Sequence, residues 1–256
     1  MKIMLDAGHA GYENQSPGIP EYYESRRMWM LCEFLAEELS VYGFEVLKTR
    51  DDVDVDVGVV ARGEMAVGCD LFLSIHSNAV GNYMHEKIDR VDVYGAYDNL
   101  NNSHELAKLL ATAIADCMGV SEGTVQTRKS DSGEREYYGV LRGARSVGCP
   151  LFYIVEHSFH TNTYATKWLL SDANLRRLAR VEAAVIATYF GLTIGYDMGD
   201  VDLNGRLDSV DYLLLKRAVM GTMDLTPLQA KLADMDENGQ LDSVDYLLLK
   251  RKVFGQ

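Results

Sequence analysis

Three short segments end in side chains suited to metal or proton chemistry: Asp6-Ala7-Gly8-His9, Ser74-Ile75-His76-Ser77-Asn78-Ala79 and Val155-Glu156-His157-Ser158-Phe159. Each follows an apolar run of strand type, and ligands of an open α/β sheet gather outside the carboxyl ends of its strands. His9, His76 and Glu156 therefore converge on one edge from distant positions. A single histidine is more often a satisfied structural residue, but two beside a carboxylate point to a metal. Zinc suits them, because it takes neutral imidazole and carboxylate oxygen and, in a hydrolytic site, keeps one position for water. Two histidines need a third protein ligand. Glu24 leads, since it opens a helix whose Met28, Leu31 and Leu35 turn that face inward. Glu21 and Glu13 are the alternatives. The helix dipole alone also favours an acid in a first turn, so the residues by themselves leave this choice open.

A second chemistry occupies the other end of the chain. DMGDVDLNGRLDSVDYLLLKR ends at Arg217, and ADMDENGQLDSVDYLLLKR ends at Arg251, 34 residues later. Each copy sets acids and an Asn at loop positions one, three, five, nine and twelve, with Gly at six for the sharp turn, which is the oxygen-rich pattern of a Ca²⁺ loop. Asp200, Asp202, Asn204, Asp208 and Asp211, with the Arg206 carbonyl, are placed for one Ca²⁺. Asp234, Asp236, Asn238, Asp242 and Asp245, with the Gln240 carbonyl, are placed for a second. A disordered acidic tail does not fit, because the helices that follow have an apolar face to bury. Leu213 to Leu215 and Leu247 to Leu249 read as the mutual core of that small all-α unit.

The elements that must position these groups alternate between strand and helix. Lys2–Asp6, 44–48, 70–75, 91–96 and 151–155 read as strands. Segments from about Glu24 to Gly43, 57–67, 106–118 and 175–190 read as helices, and 120–136 as a polar surface loop. That rhythm predicts an α/β domain with a three-layer mixed sheet and helices on both faces. The expected boundaries are 1–192 for this domain, 193–199 for a short linker and 200–256 for the loop-helix repeats.

Bulk properties exclude more than they assign. The 256 residues and 47% hydrophobic content suffice for one medium domain and a small one. A net charge of −13 speaks against nucleic acid, which wants a basic face. Cys32, Cys69, Cys117 and Cys149 are widely spaced and read as small buried hydrophobes. MKIMLDAGH meets an Asp at position 6, which leaves no signal-peptide apolar stretch, and no run is long enough to span a bilayer.

The order DAGH, a Glu opening a helix, TRDD, an Arg-containing helix, SIHSNA and VEHSFHTN resembles the zinc-dependent N-acetylmuramoyl-L-alanine amidases of the Amidase_3 family, over about residues 1–192. The resemblance implies one zinc on His9, Glu24 and His76, with Glu156 as the catalytic carboxylate and Thr49, Arg50 and Arg62 in structural roles. It further implies hydrolysis of the amide between N-acetylmuramic acid and the L-alanine of a peptidoglycan stem peptide. Two departures stand out: Ser158 where the family usually has Gly, and Ala10-Gly11 where Gly-Gly is common. Asp6 reads either as a hydrogen-bond acceptor that orients His9 or as a cap on the strand-end turn. His157 alternates to the opposite face and reads as structural, His160 as a substrate contact at the cleft rim, and His85 and His104 as surface residues. Alternative functions are a catalytically silent peptidoglycan binder and a zinc peptidase acting within the stem peptide.

The tandem loops, each followed by a single helix, resemble a type I dockerin. That resemblance implies a cohesin-bearing scaffold as partner and hence an extracellular or cell-surface setting. It places the contacts on two faces: Ser209 and Val210 with Lys216 and Arg217, and Ser243 and Val244 with Lys250 and Arg251.

Overall fold

Runs with too few polar positions for one-sided exposure become the centre of the sheet. In the computed structural model, which describes residues 1–192, 197–236 and 238–255, β1 (Lys2–Ala7), β3 (Leu71–Asn78) and β6 (Leu151–Phe159) are buried along nearly their whole length. Near-continuous burial is what a parallel strand covered on both faces requires. With β2 (Glu45–Lys48), β4 (Val91–Tyr94) and β5 (Gly123–Gln126) they form a six-stranded sheet in the order β2-β1-β3-β6-β4-β5. The first four are parallel, and β4 runs antiparallel to β6. The sheet is therefore mixed, as expected.

Alternation along the strands sorts the two faces. Ile3, Leu5, Leu71, Leu73 and Ile75 join one core with residues of α1 (Glu24–Val41), α3 (His104–Met118) and α6 (Asp172–Tyr189). Met4, Phe72, Phe152 and Ile154 join a smaller core with Ala66, Val140, Leu141 and Ala144, on the side of α2 (Val59–Glu64) and α4 (Gly139–Ser146). All four cysteines are buried and free. In α1, Met28, Leu31, Cys32, Leu35 and Leu39 face inward at helical spacing, and Gly43 follows at φ 83°. α6 begins before its first buried leucine because Ser171 caps it, accepting from Asn174 N–H.

Several boundaries differ from the sequence reading. β5 lies inside 120–136, which reads as a loop; it is an edge strand of half-buried residues with no apolar alternation to mark it. α4, and α5 (Thr163–Leu169), are too short to give a periodic signal. α2 stops at Glu64, short of the Val67 expected, and a turn ending in Gly68 at φ 71° follows.

α2 and α4 also carry a repeat that the strand-end motifs overshadow. Arg62-Gly63-x₃-Val67-Gly68-Cys69-x-Leu71-Phe72 reappears as Arg142-Gly143-x₃-Val147-Gly148-Cys149-x-Leu151-Phe152. The two glycines meet: a Cβ on Gly63 would lie 2.0 Å from Val140 O, and one on Gly143 would lie 2.2 Å from Val60 O. The helices thus touch backbone to backbone, and each leads into a strand paired with the other, Leu71 opposite Leu151.

The chain divides into compact units Met1–Leu192 and Thr193–Gln256. Residues 193–196 of the expected linker lie outside the described residues, whereas Gly199 N–H donates to Leu232 O and Lys252 Nζ donates to Met198 O. Positions 198 and 199 therefore belong to the C-terminal unit. There α7 (Ser209–Val219), α8 (Pro227–Ala233) and α9 (Ser243–Phe254) surround Val201, Leu215, Ala233 and Leu249. The leucine triplets are corrected here: Leu215 and Leu249 are buried, but Leu213 is 53% and Leu247 is 51% exposed. Three consecutive helical positions span about 200° of arc, too wide for one small core to cover.

Candidate functional site

His9, Glu24 and His76 do meet, as the last residue of a turn after β1, the first residue of α1 and the sixth of β3. One ligand atom from each lies within 4.8 Å of the others. His76 Nδ1 is 2.9 Å from Glu24 Oε1, and His9 Nε2 is 3.6 Å from Glu24 Oε2. Tetrahedral zinc at about 2.0–2.1 Å from each donor holds its ligands roughly 3.3 Å apart, so this donor set fits the ion. Burial pushes the Glu24 pKa up, but the His76 hydrogen bond and the charges of His76, His9 and His160 bring it down to about 2. In the metal-free fold a carboxylate that is 2% exposed is thus kept ionised by the imidazoles around it. Of the alternatives, Glu21 is exposed, and Glu13 accepts from His9 Nδ1 at 3.1 Å. Glu13 therefore fixes the His9 tautomer, leaving the Nε2 lone pair for the centre.

His76 is held from the other side. Its Nε2 lies 3.1 Å from Ser74 Oγ, which donates to Asp6 Oδ2 at 2.7 Å. Asp6 also accepts from Thr49 Oγ1 at 2.8 Å and pairs with Arg62 at 3.4 Å. Both roles considered for Asp6 are thereby corrected: it orients His76 through Ser74, because its side chain points to the α2 face rather than along the turn to His9.

Gly8 explains the rest of DAGH. A Cβ there would lie 2.3–2.6 Å from Cε1, Nδ1 and Nε2 of His76, so the imidazole occupies the space that any side chain would take. Gly8→Ala is therefore expected to expel the ring and reduce zinc well below one equivalent per chain, as read by elemental analysis after dialysis. A variant that retains a full equivalent would show that the ring has other room.

Glu156 faces His76 across the β3–β6 ladder and Asp92 across β4. Its Oε2 is buried and has no hydrogen-bond partner. Burial first, then the neighbouring Glu24 and Asp92 charges, raise its pKa to about 7 against the opposing pull of His76 and His157. Without a metal ion in the cavity, the carboxyl therefore exchanges its proton near neutrality. Just beyond it the ladder slips, with Asn78 opposite Phe159, and Ser158 sits at φ 59°. Glycine is the residue that takes such a conformation without strain; here a serine takes it at the bulge.

A cavity of about 240 Å³ is lined by His9, Asn14, Glu24, His76, Ser77, Asn78, Ala79, Glu156 and His160. His160 is 4% exposed, so it is a wall of the cleft rather than its rim. Its Nδ1 lies 3.0 Å from Ser77 O, and its ring stacks on Tyr22. Tyr22 in turn bonds Ser77 Oγ at 2.7 Å. Asn14 Nδ2 donates to Glu24 Oε2 at 2.7 Å and lies 2.9 Å from His9 Nε2. Nothing in the residue spacing marks Asn14 or Ser77; Asn14 reaches the site through a turn at φ 53°, and Ser77 from within the last residues of β3. His85 and His104 are half-buried rather than plainly exposed: the His85 ring lies 6.3 Å from that of Tyr83, and His104 Nε2 lies 2.8 Å from Ala96 O.

In the C-terminal unit each loop gathers three carboxylates, Asp200 with Asp202 and Asp211, and Asp234 with Asp236 and Asp245. Asn204 joins the first set by donating to Asp202 Oδ2 at 2.9 Å, and Asn238 joins the second by the same bond to Asp236. Burial raises the Asp200 pKa above its ordinary value, and Asp211 adds to the rise. Asp208 and Asp242, at the ninth loop position, also cap α7 and α9, accepting from Val210 and Val244 N–H in capping boxes closed by Asp211 and Asp245. Arg206 and Gln240 follow as the seventh loop residues, each donating its N–H to the preceding Asn side chain. On the exposed helix faces, Ser209, Val210, Lys216 and Arg217 recur as Ser243, Val244, Lys250 and Arg251, with both valines 45% exposed.

Fold and site together define an α/β domain with a His-Glu-His cluster at the carboxyl ends of central parallel strands, followed in the chain by a duplicated acidic loop-helix module. The chain belongs to the N-acetylmuramoyl-L-alanine amidase family, which matches residues 3–188, and residues 198–254 match the dockerin type I domain. The fold recurs in the catalytic domain of the N-acetylmuramoyl-L-alanine amidase CwlV from Bacillus (Paenibacillus) polymyxa var. colistinus, at 19% identity and TM-score 0.63, over 75% of this chain and 99% of that one. It recurs in an N-acetylmuramoyl-L-alanine amidase from Clostridium difficile 630, at 21% identity and TM-score 0.63, over 74% and 96%. An N-acetylmuramoyl-L-alanine amidase of Nostoc punctiforme is similar at 25% identity and TM-score 0.61, over 75% and 97%. No curated protein matches the chain. No helix among the described residues is long and apolar enough to cross a membrane.

Proposed function

We propose that the N-terminal unit is a zinc-dependent amidase that hydrolyses the bond between N-acetylmuramic acid and the L-alanine of the peptidoglycan stem peptide. The observation that carries this reading is the meeting of His9, Glu24 and His76 within 4.8 Å on a cavity that also holds the unpartnered Glu156 Oε2. His9, Glu24 and His76 hold one zinc ion. Bound there, the ion supplies a Lewis acid that polarises the scissile carbonyl and lowers the pKa of water toward about 7. Glu156 takes the proton of the attacking water at its free oxygen and returns it to the leaving amine of L-alanine. The walls formed by His160, Ser77 and Asn78 confine the substrate between Glu156 and the ligands.

Mass spectrometry of purified peptidoglycan digested by the chain tests this. Stem peptides that begin with free L-alanine, and glycan strands stripped of peptide, are the expected products. Cleavage within the stem peptide would replace the amidase reading with a peptidase, and an intact wall that retains the protein would replace it with a binder.

The C-terminal unit would bind two Ca²⁺ ions, one per loop, and dock to a cohesin on a scaffold outside the cell or at its surface. Its repeated surface supports two docking orientations related by a half-turn. The exposed Leu213 and Leu247 add an apolar contact to each face. Replacing Ser243, Lys250 and Arg251 together removes one of two equal modes and costs RT ln 2, about 0.4 kcal/mol. Replacing Ser209, Lys216 and Arg217 as well is expected to remove binding, and calorimetry against cohesins reads both steps. Complete loss from the first triple variant would mean that only one face docks.

A further inference from the structure

Beneath the metal centre lies an ion pair that the proposed chemistry does not use. His157 and Glu182 are both 0% exposed, and His157 Nε2 is 3.0 Å from Glu182 Oε1. Glu182 stands in the inward stripe of α6, among Leu175, Leu178, Ala179, Ala183, Ile186 and Ala187. Its second oxygen, Oε2, is buried with no partner. A buried pair with an unsatisfied oxygen is a poor stabiliser, and well-packed apolar residues in its place are often neutral or better. Stability therefore does not explain why this stripe holds a carboxylate.

The other ring nitrogen does. His157 Nδ1 donates to the main-chain carbonyl of His76 at 2.9 Å. That donation requires the hydrogen on Nδ1, and Glu182 at Nε2 keeps it there: with the pair ionised both nitrogens carry hydrogens, and with it neutral the acid donates to Nε2. The contact falls where the β-ladder is least able to fix the backbone, between the His76–Glu156 pairing and the shifted Asn78–Phe159 pairing.

We propose that His157, held by Glu182, is a positioning residue that pins the main chain at His76 and so sets the aim of that imidazole toward zinc. The inference rests on the zinc reading of the site and goes beyond it by assigning a role to two core residues on the opposite face of the sheet from Glu156. Outer partners of metal ligands typically contribute about 10–100-fold in affinity.

The test uses the full-length chain and zinc alone, with affinity read by chelator competition. The visible spectrum of the Co²⁺-substituted protein reads ligand geometry. His157→Leu with Glu182→Leu removes the pair without leaving a lone charge, and is expected to fold with a midpoint no lower than the parent. Its zinc affinity is expected to fall at least tenfold, with a changed cobalt spectrum. His157→Asn with Glu182→Leu keeps an N–H for the His76 carbonyl and is expected to stay within about threefold of the parent, within the usual scatter of such outer contacts. Parent-like affinity in the Leu pair overturns the proposal, and so does an equal loss in both pairs, which would assign the effect to packing. A parent chain that binds no zinc overturns the metal reading itself, which separates the two failures.

Discussion

Glu156→Gln is expected to lower turnover of peptidoglycan by about 10²–10⁴-fold, the usual span of general acid-base catalysis, while a full equivalent of zinc stays bound. Gln has nearly the shape of Glu but cannot accept and return a proton, and position 156 lies outside the ligand cluster. Loss of zinc from the variant, read by elemental analysis, would make Glu156 a ligand and reassign the chemistry. The same variant carries a stability signature. Burial raises the Glu156 pKa to about 7 in the metal-free fold, above the value near 4.3 of an unfolded chain. The folded state then binds this proton more tightly than the unfolded state, so its contribution is full below about pH 4 and is lost as pH rises through about 7. Above that range the carboxylate destabilises the metal-free protein by up to roughly 4 kcal/mol. Glu156→Gln should therefore raise the melting point of zinc-free protein at pH 8 and change it little at pH 5. Equal shifts at both values would mean that the carboxyl is not desolvated.

Removal of Ca²⁺ is expected to unfold the C-terminal unit and leave amidase activity in place. Asp200, Asp202 and Asp211 are 1%, 8% and 0% exposed and lie within 4.8 Å of one another. Among the described residues, the core they border holds four side chains at 0% exposure, Val201, Leu215, Ala233 and Leu249. So small a core supplies little beyond the entropy cost of ordering, and three neighbouring carboxylates oppose it. Ion binding then becomes folding energy. Calorimetry of the chain passed over a chelating resin, with zinc restored, should lack one cooperative transition that Ca²⁺ brings back. An identical pair of transitions with and without Ca²⁺ would refute this.

Legibility in the sequence followed chain distance. The calcium loops are contiguous, so spacing alone named Asp200, Asp202 and Asp211 and their repeats. His9, His76 and Glu156 could be read because strand ends announce themselves by an apolar run that stops at a polar residue. The contacts between such segments could not. Ser77 and His160 are 83 residues apart, and His157 and Glu182 are 25 apart. Their meeting depends on strand order and on a bulge that no period encodes. At Asp208 the cap was not legible for a local reason: an Asp before a helix serves as a loop ligand, as an N-cap or as both, and composition is the same for each. β5 and α4 went unread because an edge strand and a two-turn helix bury too few residues to impose a pattern.

The touching glycines of α2 and α4 have a consequence for the cleft. Each helix feeds a strand that carries one of the residues proposed for the chemistry, His76 on β3 and Glu156 on β6, and those two residues are partners in the ladder. The bare backbone contact of Gly63 with Gly143 thus acts as a gauge block between them, fixing from the far end of both strands how Glu156 lines up with His76. A methyl group at either glycine would pry the helices apart, and a misplacement of about 1 Å at a reacting centre is enough to cost on the order of 10²-fold in rate. Two positions with no chemistry of their own, remote from the cleft, therefore have no room for a side chain.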